Sequence, residues 1–261
     1  MYPVSDAFLR AVRSNTRKYF WTGTIVTEGG MTYEFGAKEI VKGSGYISRQ
    51  CCGSTEIELG TVYAAEMGIT LLSDIDRYTL EDALVTLVFH LVLADGSVED
   101  VPMGVFEVSE ANRLAKCLEL KAYDFMLRFD KSFNGFETVG TAYDFIALCC
   151  KRCKVEFANK RAEIDAMPNG GVTLSVYTEN DIETCRDVLF YVGQVLGGFF
   201  CINREGKLEL RKYGNVPVMT VSDRQRFPAA FRILSQGIRQ SVPRTSRRRR
   251  RSIMRWSRMT G

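Results

Sequence analysis

Residues 84–108 read LVTLVFHLVLADGSVEDVPMGVFEV, and this stretch decides the fold class of the chain. Its first ten residues are bulky and β-prone, and the turn that follows at 94–97 contains Asp95-Gly96. Asp-Gly is a strong hairpin signal, because glycine takes a positive φ without steric cost. Residues 98–101 and 105–108 are β-prone again. The stretch therefore predicts an antiparallel hairpin within a β-rich unit.

The surrounding sequence continues this pattern. Residues 17–27 alternate apolar and polar side chains up to the turn Glu28-Gly29-Gly30, and residues 31–35 then predict the second arm of a hairpin. Further short strands are predicted at residues 45–48, 55–59, 68–72 and 117–122. Short helices are predicted at residues 4–12, with Ser5 or Asp6 as the cap, and at residues 123–129. Residues 1–133 are thus predicted to form one β-rich domain.

The pattern changes after the turn Asn134-Gly135. Apolar residues at helical spacing predict helices at 141–153, with Thr141 as the cap, and at 184–196, where Gly197-Gly198 ends the helix. Strands are predicted at residues 172–177, 199–202, 207–211 and 216–221. Residues 134–213 therefore predict a smaller α+β domain, and residues 214–227 begin a further β segment. The predicted fold class is α+β and β-rich.

The composition is that of a globular protein, with 46% hydrophobic and 25% charged residues among 261. The longest apolar-leaning stretch, residues 83–94, is shorter than the ~20 residues that cross a bilayer as a helix, so we predict no membrane partner. The first six residues show no secretory signal. Eight cysteines without an export signal are predicted to be reduced thiols.

Charge is divided unevenly along the chain. The first 223 residues hold 23 basic and 31 acidic side chains, whereas the last 38 hold 12 arginines and no acid. Residues 228–261, which include Arg247 to Arg251, allow two interpretations. The abrupt change in composition favours a frameshifted or truncated remnant, so this segment is predicted to be disordered or frameshifted. The alternative is an arm that binds nucleic acid through salt-dependent phosphate contacts.

His90 is the only histidine, so two-histidine metal sites are excluded. It lies within an apolar strand, and strand alternation places it on one sheet face with Val88 and Val92. A general base or a metal ligand is the alternative role for a lone imidazole. The pattern favours a structural histidine on the face of a strand.

The cysteines also favour structure over chemistry. Cys149, Cys150 and Cys153 contain one Cys-x-x-Cys, but Cys185 and Cys201 are isolated in sequence, so a four-ligand zinc site is not indicated. The motif falls at the C-terminal end of a predicted helix, where the helix dipole does not lower a thiol pKa. We therefore predict small buried hydrophobic residues there. The adjacent pair Cys51-Cys52 is uninformative.

Other motifs give no catalytic set. Gly193, Gly197 and Gly198 lie at the end of a helix and lack the Gly-Lys-Ser/Thr ending of a phosphate loop. The acid pairs Glu81/Asp82 and Glu99/Asp100 are predicted to be solvated surface. The sequence thus predicts no enzyme, no catalytic, cofactor-binding or metal-binding residues, and no cofactor.

Four stretches resemble the N-terminal part of a family of phage tail-tip proteins, the baseplate-hub or tail-associated-lysin proteins of siphophages and prophages. They are YPVSDAF at 2–8, PMGVFEV at 102–108 followed by AYDFM at 122–126, TCRDVLFYV at 184–192, and GGFFCINREGKLEL at 197–210. Their order and spacing cover most of residues 1–223. The chain departs from the family near Phe227, where more β structure is expected and the Arg-rich segment begins instead.

The resemblance implies a structural protein of the tail tip. It implies a tail-tube-like β domain, a homotrimeric ring at the distal end of the tail tube, and a channel for DNA. The implied partners are copies of the chain, a tube or distal tail protein and the tape-measure protein, in the virion tail and, during assembly, the host cytoplasm. The alternatives are a fragment of a tail-associated cell-wall hydrolase and a nucleic-acid-binding protein acting through residues 228–261.

Overall fold

The computed structural model describes residues 2–53, 57–135, 138–177 and 181–213. The β segment predicted at 214–227, with its strand at 216–221, and the Arg-rich segment 228–261 lie outside these ranges. The strands are β1 (Lys18–Val26), β2 (Thr32–Phe35), β3 (Tyr46–Ser48), β4 (Glu66–Leu72), β5 (Leu84–Val92), β6 (Val98–Leu114), β7 (Cys117–Tyr123), β8 (Val139–Gly140), β9 (Leu174–Ser175), β10 (Gly198–Ile202) and β11 (Leu208–Lys212). The helices are α1 (Asp6–Arg13), α2 (Ala142–Cys153), α3 (Arg161–Asp165) and α4 (Cys185–Leu196).

Seven strands form one antiparallel sheet in the order β2-β1-β5-β6-β7-β4-β3. Two small sheets, β8-β9 and β10-β11, belong to the second half of the chain. The fold class is therefore α+β and strand-rich, as the sequence predicts. The hairpin expected at Asp95-Gly96 is present between β5 and β6, with Gly96 at a φ of 86°.

The prediction of separate strands at 98–101 and 105–108 is wrong, because β6 runs through both without a break. Leu87 pairs with Gly104 and Val88 pairs with Pro102, so Met103 is an extra residue on β6. β6 pairs with β7 only from Glu107 onward, so Pro102 lies where β6 has a single neighbouring strand, and there a proline, which has no N–H to give to the ladder, is tolerated. The sequence Pro-Met-Gly, which resembles a strand break, instead bends a continuous strand.

Three smaller differences concern short elements. Residues 57–59, predicted as part of a strand, lie in a loop, and residues 55–56 of that prediction are outside the described ranges. Of the strand predicted at 172–177, only Leu174–Ser175 is paired. The sequence pattern does not predict helix α3, since five residues are too few to show a helical period.

One face of the large sheet is apolar and buried. Its core residues come from β1, β2 and β4 to β7 and from the segments that lead into β4 and β5; they are Ile25, Phe35, Ala65, Met67, Ile69, Leu71, Leu80, Ala83, Val85, Leu87, Phe106, Val108, Leu118, Leu120 and Ala122. Helix α1 packs over one corner, where Phe8 contacts Leu91 and Val101. The alternation of buried and exposed positions explains why β5 and β6 read as amphipathic strands.

A second core lies between α2, α4 and the β10-β11 hairpin. Thr141 and Thr184 cap the two helices, each in a capping box with an aspartate three residues later. Gly197 ends α4 in the left-handed region at a φ of 69°, as its position predicts. Met126 and Phe129, which follow β7, belong to this core as well, so it is continuous with the end of the sheet.

Candidate functional site

The four stretches that carry the family resemblance meet at one place, where the β10-β11 hairpin docks on the large sheet. We call this place the hairpin junction and define it by residues from all four stretches: Tyr2, Pro102, Asp124, Phe125, Arg186, Arg204 and Gly206. Nothing in their spacing along the chain shows that they converge. The junction is the candidate functional site, because it fixes the second half of the molecule against the first.

Arg204, at the tip of the β10-β11 hairpin, makes the longest-range contacts of the junction. Its Nη1 atom donates to the carbonyl oxygen of Pro102 at 2.7 Å, and its guanidinium carbon lies 4.7 Å from the centroid of the Tyr2 ring. Burial lowers the pKa of Arg204, and the neighbouring cation Arg49 lowers it further. The Pro102 carbonyl that Arg204 reaches is next to the Met103 bulge, so the hairpin tip contacts β6 at its bulge.

Gly206 completes the hairpin tip because no side chain fits there. Its φ is 81°, and a Cβ atom would lie 2.8 Å from the Phe125 ring and 3.6 Å from the Cβ of Val105. Within the turn, the Asn203 side chain accepts hydrogen bonds from the backbone N–H groups of Glu205 and Lys207. The sequence Asn-Arg-Glu-Gly-Lys thus forms a turn that packs closely against the Phe125 ring.

Asp124 lies at the corner where β7 ends and a 3₁₀ turn, Phe125–Asp130, begins. Asp124 as a whole residue is 4% exposed, and its carboxylate accepts hydrogen bonds from the backbone N–H groups of Met126 and Ala65, both at 3.0 Å. Burial raises the pKa of Asp124 to about 6, although these bonds and the cations Arg49 and Arg186 act in the opposite direction. One side chain therefore ties the start of β4 to the end of β7.

Two further arginines surround this corner. Arg186, on the first turn of α4, donates to the carbonyl oxygen of Met126 at 3.1 Å and pairs with Asp130 at 2.8 Å. Arg49, which follows β3, donates to the carbonyl oxygen of Met103. Burial lowers the pKa of Arg49. These contacts are to backbone oxygens and to one exposed carboxylate, so they position elements and expose no reactive group.

His90 lies on the outward face of β5, on the face that alternation predicts. Its Nδ1 atom donates to Asp100 at 2.5 Å, since a carboxylate only accepts, and its Nε2 atom is 2.7 Å from Thr22 Oγ1. The ring stacks on Phe20 at 4.5 Å between centroids. A carboxylate–imidazole–hydroxyl chain can activate a nucleophile, but the same contacts are those of cross-strand pairs on three neighbouring strands. The non-catalytic role of His90 stays a prediction.

The structure corrects the view that Cys185 is isolated. Cys185 is the first residue of α4 and is buried in the same core cluster as Cys149 and Cys153 of α2. The correction arises from the packing of α2 against α4, which sequence spacing cannot reveal. None of the eight cysteines, all of which lie within the described ranges, is paired in a disulfide. Among the residues that the structure describes, no group of three or more His, Cys, Asp or Glu is arranged to hold a metal ion.

Other candidates have structural contacts. Glu99, predicted to be solvated, accepts from the backbone N–H of Ser5 at 2.9 Å and from its hydroxyl, and so anchors the start of α1. Gly193 faces Gly60, where a Cβ on Gly193 would lie 2.8 Å from the Gly60 Cα. Glu81 and Asp82 are exposed. Within the described ranges, no helix is both long enough and apolar enough to traverse a bilayer.

No protein-family model matches the chain, and no curated protein matches its sequence. Several solved structures match part of the chain at low sequence identity. The 43 kDa tail protein of prophage MuSo2 from Shewanella oneidensis is 11% identical with a TM-score of 0.44, over 76% of this chain and 57% of that chain. The tail protein from Neisseria meningitidis MC58 is 15% identical with a TM-score of 0.41, over 78% of this chain and 56% of that chain.

A chain of the lidded Francisella PdpA-VgrG complex is 10% identical with a TM-score of 0.46, over 90% of this chain and 32% of that chain. The structural neighbours are thus phage and prophage tail proteins and a VgrG complex. The present chain spans little more than half the length of the two tail proteins. At these values no residue role transfers from them to this chain.

Proposed function

We propose that this protein is an architectural component of a phage or prophage tail. In this proposal it is a baseplate hub at the tail tip, where a homotrimer surrounds a channel for DNA. Its partners are further copies of the chain, a tube or distal tail protein and the tape-measure protein. It assembles in the host cytoplasm and acts in the virion tail without turning over a substrate.

The observation that supports this proposal is the convergence of the four resembling stretches at the hairpin junction. Each stretch contributes a contact that positions backbone: Tyr2 stacks on Arg204, Asp124 ties two strands, Arg186 donates to the Met126 carbonyl, and Gly206 packs the turn against Phe125. These contacts hold one substructure against another, as a scaffold requires.

The large sheet supports self-association in a second way. Strands β2 and β3 are the outermost of the seven, and outer strands offer backbone groups to a further strand. Both strands are short, with four and three residues. Short edge strands limit unspecific pairing with other chains but still allow pairing with a strand of matched geometry. The division into domains at residues 1–133 and 134–213 belongs to the same proposal.

Light scattering after size exclusion tests the proposal. A homotrimer gives a mass of three times 29.5 kDa, independent of loading concentration over a tenfold range. A stable monomer contradicts the hub. Clearing of purified cell walls by the chain would favour the hydrolase alternative. Heparin retention that disappears when residues 228–261 are deleted would favour the nucleic-acid-binding alternative.

A further inference from the structure

An apolar groove of about 630 Å³ lies on the large sheet, and strands β1, β3, β4, β5 and β6 all contribute to its lining. Strands β1 and β3 are far apart in the strand order, so the sheet curves to bring both to one groove. The loop between β2 and β3 also lines it and is tied to β4, since the Val41 backbone N–H donates to the Thr70 carbonyl at 2.9 Å. Paired backbone therefore fixes the shape of the groove.

The lining of the groove is apolar and rich in aromatic side chains. Ile69 and Leu87 are buried, whereas Tyr19 and Tyr46 are 53% and 48% exposed. Trp21 is half-buried between these extremes. Tyrosine, tryptophan and methionine are enriched in the cores of protein interfaces, and exposed apolar clusters mark interaction sites. The groove thus has the composition of a surface that receives a side chain from another polypeptide.

Two arginines lie beside the groove at Met103, which lines it. Arg49 donates to the Met103 carbonyl, and Arg204 Nη1 lies 3.7 Å from the Met103 sulfur. Gly104 leaves room for Arg49, because a Cβ atom there would lie 2.6 Å from its Nη2 atom. A guanidinium has five N–H donors. Within the described ranges, the acceptors that engage these two are the carbonyls of Pro102 and Met103 and the Met103 sulfur, so donors remain for a bound group.

The groove is bordered by positive charge on a domain that is acidic in total. Three cations beside it have no ion-pair partner among the residues that the structure describes; they are Lys42, Arg49 and Arg204. The nearby acids are engaged elsewhere, since Asp124 accepts from two backbone N–H groups and Glu66 pairs with Lys121. The first 223 residues hold 31 acidic and 23 basic side chains. Charge complementarity therefore selects an acidic ligand for this place.

We propose that the groove and its arginines bind an acidic segment of a partner polypeptide. An apolar side chain of that segment occupies the groove, and its carboxylates bond Arg49 and Arg204. The half-exposed tyrosines leave the groove open beside the arginines, an arrangement that suits an extended segment. This inference does not depend on the tail function, because it concerns only the groove and the cations beside it.

Trp21 gives a local fluorescence signal for binding, because it lines the groove and the only other tryptophan, Trp256, can be replaced by Phe. Three peptides with blocked ends are titrated into the full-length Trp256→Phe protein; they are Leu-Phe-Asp-Asp, Leu-Phe-Asn-Asn and Gly-Gly-Asp-Asp. We expect Leu-Phe-Asp-Asp to bind about tenfold more tightly than Leu-Phe-Asn-Asn, because the amide peptide loses the charge-assisted hydrogen bonds. Gly-Gly-Asp-Asp, which can contact the arginines of residues 228–261 but cannot fill the groove, should leave the signal unchanged.

Matched variants assign the two parts of the site. Arg49→Gln should remove most of the preference for the acidic peptide, whereas Arg161→Gln, which removes an exposed arginine of α3, should retain it. Tyr19→Ala should weaken both Leu-Phe peptides by about tenfold, and Tyr78→Ala, at an exposed tyrosine outside the groove, should weaken neither.

Four outcomes would overturn the proposal. The first is the absence of a Trp21 response to Leu-Phe-Asp-Asp, and the second is equal affinity for the two Leu-Phe peptides. The third is a response to Gly-Gly-Asp-Asp as strong as that to Leu-Phe-Asp-Asp. The fourth is an unchanged preference in the Arg49→Gln variant, with near-UV circular dichroism showing that this variant is folded.

Discussion

The buried carboxylate of Asp124 makes the stability of this fold depend on pH in an unusual direction. Burial raises its pKa from 3.8 to about 6, so the folded state favours the neutral carboxyl group more than the unfolded chain does. The stabilising contribution of the protonated group is complete below pH 3.8 and is lost as the pH rises through 6. A difference of about two pKa units corresponds to roughly 3 kcal/mol between pH 3.5 and pH 7.

The Asp124→Asn variant isolates this contribution because asparagine does not titrate. Asparagine has one acceptor oxygen, so it cannot accept from both Ala65 and Met126, and the lost bond costs about 1–3 kcal/mol relative to the ionised carboxylate. Urea denaturation at pH 3.5, 5 and 7 gives the difference in unfolding free energy between variant and wild type. We expect this difference to move in favour of the variant by roughly 3 kcal/mol across the range.

Asp144→Asn is a matched control with the opposite sign. The backbone N–H of Thr141 lowers the pKa of Asp144, so its carboxylate stabilises the fold above its usual pKa, and that stabilisation is lost as the pH falls. This variant should therefore be penalised more at pH 7 than at pH 3.5. If the two variants respond to pH in parallel, or if the Asp124 difference stays constant, the account of the buried corner is wrong.

Two further substitutions test the hairpin junction by urea denaturation. Gly206→Ala should lower the free energy of unfolding by about 1–3 kcal/mol more than Gly96→Ala does. Both glycines have a positive φ, but only Gly206 faces the Phe125 ring, whereas Gly96 has open space around it. Equal losses would mean that the turn does not pack on Phe125. Arg204→Lys should lower the free energy of unfolding by about 1–2 kcal/mol, since an ammonium group cannot bond the Pro102 carbonyl and stack on Tyr2 at once. An unchanged stability would show that the Arg204 contacts do not stabilise the junction.

Local signals in the sequence predict the local elements well. The Asp95-Gly96 turn, the cap Thr141 and the helix end at Gly197 each depend on the chemistry of a few neighbouring residues. Each of these elements is present where the sequence places it. Alternation of side chains along β5 likewise places His90 on the outward face of the sheet.

The remaining features depend on contacts between distant residues. Pro102-Met103-Gly104 resembles a strand break and acts as a bulge, because the partner β5 keeps the strand paired on both sides of it. Cys185 is 32 residues beyond Cys153 in the sequence, and only the packing of α2 on α4 brings them together. The sequence does not predict the hairpin junction, for the same reason. The turn chemistry of residues 203–207 predicts the tip of a hairpin but not the surface on which it docks.

Electron microscopy of the purified full-length chain tests the scaffold most directly. Class averages should show rings with threefold symmetry and a central opening, in which the large sheet of each copy lies beside that of its neighbour. Separate globular particles, without rings at any protein concentration used, would contradict the claim that this protein functions by stacking against copies of itself.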